Sequence, residues 1–422
     1  MEETKTTYRP TLEAVEAAAE KLRGVATVTP LISNMRYSKQ FEANIMFKRE
    51  DLQQVRSYKI RGAYNKMSSL TEAEAEKGIV CASAGNHAQG VALSCKLLKI
   101  KGTIFMPSPT PNQKVEQVKM FGEEYIEVVL IGDTFDDAYH AAMEDCERLN
   151  KAFIHPFNDK KVIEGQATVG LEIIDQTESH PIDYVFVPIG GGGLSSGVSS
   201  VFKLLSPQTK IIGVEPKGAP SMLTSIRNNK NTELEEIDSF VDGAAVKRVG
   251  DLNFAICKET LHRVVTVDEG KICQTILDLY NKEAIVAEPA GVLSLSALEH
   301  FKEEIKGKNI VCVISGSNND ITRTAEIKER ALLHADLKHY FIVKFPQRSG
   351  ALRDFVVDIL GDTDDITHFE YTKKANREND VAVVGIELKS PNDLEPLITK
   401  MKRHNFYGDY LNDKPDLFQF LV

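Results

Sequence analysis

The stretch that most limits what this chain can fold into is DYVFVPIGGGGLSSGVSSVFKLL, residues 183–205. An apolar run leads into four consecutive glycines, and a run of helical period follows them. Continuous Val/Phe/Ile segments of this length suit strands buried on both faces, which belong to parallel sheets covered by helices. Each glycine costs more chain entropy on ordering than any other residue, so a turn that only packs would rarely use four. A glycine-rich turn opening a helix converges backbone N–H groups at the positive end of the helix dipole, a place for an anion. The G-x-x-x-x-G-K-[ST] pattern is absent, so the expected guest is a single phosphate held by backbone rather than a nucleotide. A packing turn remains the alternative.

The same punctuation recurs along the first three quarters of the chain. GIVCAS, GTIFMP, YIEVVLIG, KIIGVEP and NIVCVISGS read as strands, alternating with amphipathic helices. QKVEQVKMFG predicts a helix with Gly122 past its end, and TFDDAYHAAMEDCERLN one capped by Thr134. After about Leu333 the pattern changes to HYFIVKFP, SGALRDFVVDIL, DITHFEYTKK, DVAVVGIELK and NDLEPLITKMKRH, with a last short strand near YGDYL. That is the β-α-β-β-α-β order of a ferredoxin-like sandwich. The expected division is a catalytic α/β region over 1–322, a helical connector over 323–338, a small α+β domain over 339–413 and a tail over 414–422.

The net charge of −10 and the lack of a Lys/Arg-rich block argue against nucleic acid. The six cysteines form no C-x-x-C pair and no zinc spacing, so no metal site is expected. Buried, reduced thiols in a cytoplasmic protein are the expectation. The N-terminal stretch lacks the apolar core of a secretory signal. No apolar run approaches the roughly 20 residues that span a bilayer.

Three further motifs carry chemistry. ASAGNHAQG, residues 82–90, again ends a strand and opens a helix. Its Ser83, Ala84, Gly85, Asn86 and His87 form a candidate substrate loop, with N–H groups for a carboxylate. Asn86 can donate to a phenolate-like oxygen, whereas His87 reads better as a capping or packing residue. In FKREDLQQVRSYKIRGAYN, Ser57 is a plausible helix cap, which places Lys59 in the first turn. Positive potential and burial both lower an amine's pKa, which frees a nucleophile. In CVISGSNND, Ser315 directly follows a buried strand. A lysine nucleophile, a phosphate cup, a carboxylate loop and a strand-end serine together suit pyridoxal 5′-phosphate.

SYKIRGA, SAGNHAQG, GGGGL and SGSNND resemble the pyridoxal-phosphate enzymes of fold type II, the tryptophan synthase β family, and most closely its biosynthetic threonine dehydratases. YFIVKFPQRSGALRDFV is similar to the ACT-like regulatory domain found there, present once, as in short forms. The resemblance implies a two-subdomain catalytic region with parallel sheets. It implies that Lys59 carries the cofactor as a Schiff base and acts as general base. Asn86 would contact the cofactor's 3′-oxygen, Gly190, Gly191, Gly192, Gly193 and Leu194 its phosphate, and Ser315 its ring nitrogen. HPFND (155–159) and AEPAG (287–291) resemble segments lining the site, and strand-end turn chemistry explains them equally well. The implied reaction is dehydration and deamination of L-threonine. Isoleucine and valine would be effectors, and the assembly a homo-oligomer, dimer or tetramer. Tyr58 and Ser317 depart from the family's usual residues without removing a chemical group. Three alternatives stay open: a serine dehydratase, a serine racemase and a non-catalytic amino-acid sensor. Related racemases carry a second serine as a base where this chain has Ala84, which speaks against racemisation.

Overall fold

The computed structural model describes residues 8–177, 181–372, 379–414 and 417–418. The chain divides into two compact units, Met1–Asp320 and Ile321–Val422.

In the first unit the strands are β1 (Leu31–Ser33), β2 (Asn44–Arg49), β3 (Ile79–Ala82), β4 (Gly102–Met106), β5 (Ile126–Leu130), β6 (Ala152–Phe153), β7 (Tyr184–Pro188), β8 (Lys210–Pro216), β9 (Arg263–Val267) and β10 (Asn309–Ile314). Among the described residues they make a six-stranded sheet, β1-β2-β10-β7-β8-β9, and a four-stranded one, β5-β4-β3-β6. Every pairing is parallel except β1 with β2. The buried runs of the sequence supply the inner strands: β3, β4 and β7 are buried along their whole length. Strand β7 feeds the glycine turn directly, and the helix Gly193–Leu205 departs from it. The parallel α/β architecture is therefore as expected.

Two local features differ in detail. The helix Asn112–Gly122 includes Gly122, and Glu123 turns the chain out with a positive φ of 48°. Thr134 does cap Phe135–Leu149, in a reciprocal box with Asp137.

In the second unit β11 (Lys338–Pro346), β12 (Asp365–Thr372), β13 (Asn379–Glu387) and β14 (Tyr407–Tyr410) form an antiparallel sheet of order β12-β13-β11-β14. The first crossover is Ala351–Asp354, running on into a π-helical turn over Phe355–Ile359; the second is the helix Leu394–Arg403. Phe341, Phe345, Phe355, Val384 and Met401 share the core between sheet and helices. The β-α-β-β-α-β order is the expected one. The helix Thr324–His334, expected as a connector, belongs to this unit. The last two residues of DITHFEYTKK, and all but Lys414, Leu417 and Phe418 of the expected tail, lie outside the described residues.

Candidate active site

Two short backbone pairings assemble the site from remote segments. Ser57 and Gly316 form an isolated antiparallel bridge. The Tyr58 N–H donates to Ser315 O at 3.3 Å, and the Ser317 N–H to Arg56 O at 2.8 Å. Arg56 takes a positive φ of 61° to make this turn. Lys59 and Ser315, far apart in sequence, thereby sit on paired segments.

Below this pairing lies a buried charge network that accounts for Glu50 and Arg61. Arg61 is 1% exposed and Glu50 fully buried. The guanidinium donates to both Glu50 oxygens at 2.8 Å and to both Glu172 oxygens at 2.6 and 2.9 Å. Lys48 adds a 2.5 Å contact to Glu172, and Thr29 donates to Glu50. The network ties the start of the Lys59–Met67 helix to the Lys160–Gln176 helix. Removing one partner strands a buried charge, which costs about 3–5 kcal/mol. Arg61→Met should therefore lower the thermal unfolding midpoint sharply, while Arg9→Met, which breaks an exposed pair with Glu259, should barely move it. Equal midpoints for the two variants would contradict this account.

Lys59 is the first residue of its helix, but Ser57 is not the cap. The capping position is Tyr58, in helical geometry and without a side-chain bond, because the bridge to Gly316 holds Ser57 outside the helix. The Ser57 hydroxyl is buried without a hydrogen-bond partner. The Lys59 amine donates to Pro156 O at 3.0 Å and lies 5.4 Å from the centre of the Tyr58 ring. Burial pushes its pKa down to about 8, against a smaller upward pull from Glu288. A substantial share of the amine is thus neutral near physiological pH.

Gly190 to Gly193 form a close-packed cup. A Cβ on Gly191 would enter the Phe157 ring, and one on Gly190 would lie 2.9 Å from Ala244 Cα. Gly192 has φ +91° and caps the following helix. Packing alone thus demands glycine at these positions, the alternative reading of the run. The first N–H groups of the Gly193–Leu205 helix have no intrahelical acceptor. Leu194 sends its side chain into the core and offers the site its backbone.

The 83–87 loop lies across from the Ser315 strand end. Ser83 Oγ accepts from the Gly85 N–H at 3.3 Å, and the space beside Gly85 is open. Ala84 is half-buried there. Asn86 Nδ2 donates to Glu288 Oε1 at 2.7 Å, while its Oδ1 is buried and unpartnered. His87 is buried, with Nε2 2.8 Å from Ile154 O. Burial, then the neighbouring Lys59 charge, pull its pKa down to about 3, which suits a neutral packing residue. Ser315 is buried and its hydroxyl donates to Ala290 O at 3.3 Å, a tie to a remote carbonyl rather than a helix cap.

Glu288 was legible only as part of AEPAG. Its carboxyl accepts from Asn86 and from the Asn318 backbone, and it crowds Gly316. Burial, reinforced by Asp242, pushes its pKa up to about 7. The folded protein therefore holds a proton that the unfolded chain has lost. The associated stability is full below about pH 4.5 and disappears as pH rises through about 7. Glu288→Gln should flatten that part of the stability–pH curve; an unchanged slope between pH 4.5 and 7 would contradict it. Phe157 was likewise legible only as part of HPFND, and Asn253 was not singled out at all. Asn253 Nδ2 binds both Gly191 O and Phe157 O, which locks the cup to the HPFND turn. No local pattern marks such a contact.

A half-buried amine of lowered pKa, a glycine cup at a helix start and the orphaned Ser57 hydroxyl fit a phosphate-bearing carbonyl cofactor. The site and fold define a pyridoxal-phosphate enzyme, and the family model described as "Pyridoxal-phosphate dependent enzyme" matches residues 22–316. A second, described as "C-terminal regulatory domain of Threonine dehydratase", matches residues 329–421. Over 411 residues the chain is 53% identical to the biosynthetic L-threonine dehydratase IlvA of Halalkalibacterium halodurans, covering 97% of this chain and 99% of that one. The Bacillus subtilis protein of the same name is 52% identical, with 96% of each covered. The solved structure of processed threonine deaminase isoform 2 from Solanum lycopersicum matches with TM-score 0.71 and 39% identity, over 76% of this chain and 95% of that one. The chain belongs to the biosynthetic threonine dehydratase family of pyridoxal-phosphate-dependent enzymes.

Proposed function

We propose that the chain converts L-threonine to 2-oxobutanoate and ammonia at the site around Lys59. One observation carries this reading: the half-buried Lys59 amine, on Pro156 O, adjoins a glycine cup sealed by the next residue, Phe157. When bound, pyridoxal phosphate links to amino groups and withdraws electrons from the α-carbon. The backbone of Gly190 to Leu194 would hold its phosphate, Asn86 its 3′-oxygen and Ser315 its ring nitrogen.

The chain's own residues then divide the work. Once threonine takes its place, the freed Lys59 Nζ accepts the α-proton as general base. Its bond to Pro156 O fixes where the lone pair points. The N–H groups of Ser83 to His87 take the substrate carboxylate, and the open space beside Gly85 admits it. Burial, reinforced by Asp242, pushes the Glu288 pKa up to about 7, which weakens its repulsion of that carboxylate near neutral pH. The β-hydroxyl leaves as water with the proton that Lys59 Nζ took from the α-carbon, and the enamine released tautomerises and hydrolyses to the keto acid and ammonia. Ala84 supplies no proton on the opposite face, which disfavours racemisation. Steady-state turnover of L-threonine and L-serine, with and without isoleucine and valine, tests the assignment; clear preference for serine would move it to the serine dehydratases.

Ser315 carries a separate expectation. A hydroxyl cannot stabilise a protonated ring nitrogen as a carboxylate does, so the ring withdraws fewer electrons and elimination prevails over side reactions. Ser315→Asp should change the visible spectrum and raise the share of turnovers ending in transamination. An unchanged spectrum and partition would mean that Ser315 does not face the nitrogen.

The second unit is read as an ACT-like effector domain for branched-chain amino acids, isoleucine inhibiting and valine opposing it. The functional division is a catalytic region to about residue 322, a connector over 323–338, the effector domain over 339–413 and a tail over 414–422. A homo-oligomer is also proposed: Ile32, Met35, Tyr280 and Val286 are exposed apolar residues, and Asn34 and Arg36 both bind Glu283 between the last two. Buried free thiols suit the cytoplasm. Among the described residues no helix is long and apolar enough to cross a membrane.

A further inference from the structure

The turn 155–159 is built around one ring nitrogen. His155 Nδ1 accepts the N–H of Phe157 at 3.1 Å and that of Asn158 at 2.9 Å. A ring nitrogen can accept only while it carries no proton, so this turn requires a neutral imidazole with any ring proton on Nε2. Each residue the turn presents then has a partner in the site. Pro156 O takes the Lys59 amine. The Phe157 ring stands 4.6 Å from the His155 ring, edge to face, and seals against Gly191. Phe157 O accepts from Asn253, which also holds Gly191 O. Asn158 Oδ1 accepts the Leu252 N–H, and Asp159 caps the following helix.

We infer that His155 is a positioning residue: its unprotonated Nδ1 folds the 155–159 turn, which aims the Lys59 amine through Pro156 O and closes the phosphate cup with Phe157. This rests on the role assigned to Lys59 above. The surroundings keep the ring neutral. It is half-buried, Lys59 and His87 act on it from nearby, and Asp159 opposes them. Its pKa falls to about 4, with burial first and the Lys59 charge second. The turn therefore persists across the working pH range. The amine's position matters because a small displacement of a reacting group costs up to about 100-fold in rate.

The test separates an acceptor from a mere filler. Asparagine at this place offers a side-chain oxygen to the N–H groups two and three residues on, as in an Asx turn; leucine fills the volume and accepts nothing. Holoenzyme carrying His155→Leu should turn over about 10- to 100-fold more slowly. It should release cofactor faster, and the pH midpoint of its visible band should move by about one unit. His155→Asn should restore the midpoint and the release rate, and turnover to within a few-fold. Wild-type behaviour of His155→Leu in all three readouts would overturn the inference. So would a folded His155→Asn protein with a displaced midpoint, which decides the matter even if the leucine variant fails to fold. Lys59→Ala is the control: an active, normally coloured Lys59→Ala protein would refute the assignment of Lys59 itself, separately from that of His155.

Discussion

Lys59→Ala should lose nearly all threonine turnover and the visible absorbance band of the bound cofactor, yet still bind pyridoxal phosphate weakly through the glycine cup. Two functions disappear together: the amine that links covalently to the cofactor and the base that takes the α-proton. General acid–base catalysis alone contributes about 10²- to 10⁴-fold. The fold should survive, because the Arg61 network that anchors this helix does not pass through the Lys59 side chain. Deleting a half-buried amine whose charged form its surroundings disfavour also removes a destabilising group: burial holds its pKa down to about 8, so the charged form costs stability in the folded state below that pH. Substantial activity without added amine would sink the assignment.

The second large effect concerns regulation. A chain ending at Asp320 should stay active and lose all response to isoleucine and valine, provided assembly does not depend on the removed part. This cut follows the boundary between the compact units and leaves no orphaned element, since the Thr324–His334 helix belongs to the second unit. In the full chain, coupling between an effector and the catalytic site is worth about 1–3 kcal/mol, so isoleucine should change apparent threonine affinity several-fold. Reciprocity requires threonine to weaken isoleucine binding by the same factor. Inhibition that survives the truncation would put the effector site in the first unit. A full-length chain that binds neither amino acid would refute the regulatory reading outright.

What the sequence made legible was local. Buried strand runs, helix periods, the glycine turn and the switch to β-α-β-β-α-β order are each written within some ten to twenty consecutive residues, and each formed. The strands β1 and β6, three and two residues long, are too short to show a period. The long-range contacts had no local signature. Glu288 meets Asn86 across 202 positions, and the Ser57–Gly316 bridge removes the cap that the local sequence suggested. That bridge also explains why Lys59 sits where it does. Chain pairing with the Ser315 segment, rather than a capping hydroxyl, sets the start of its helix. Glu50 and Glu172 close around Arg61 from two other segments, a pairing that no local pattern marks.

The central claim is that one lysine, Lys59, carries the cofactor of a threonine dehydratase. The most direct measurement is to reduce the holoenzyme with borohydride, digest it and locate the pyridoxyl group by mass. The account predicts the group on the peptide containing Lys59, in a stoichiometry that matches the loss of 2-oxobutanoate formation from L-threonine. A pyridoxyl group on any other lysine, or full activity after Lys59 has been reduced, would contradict it.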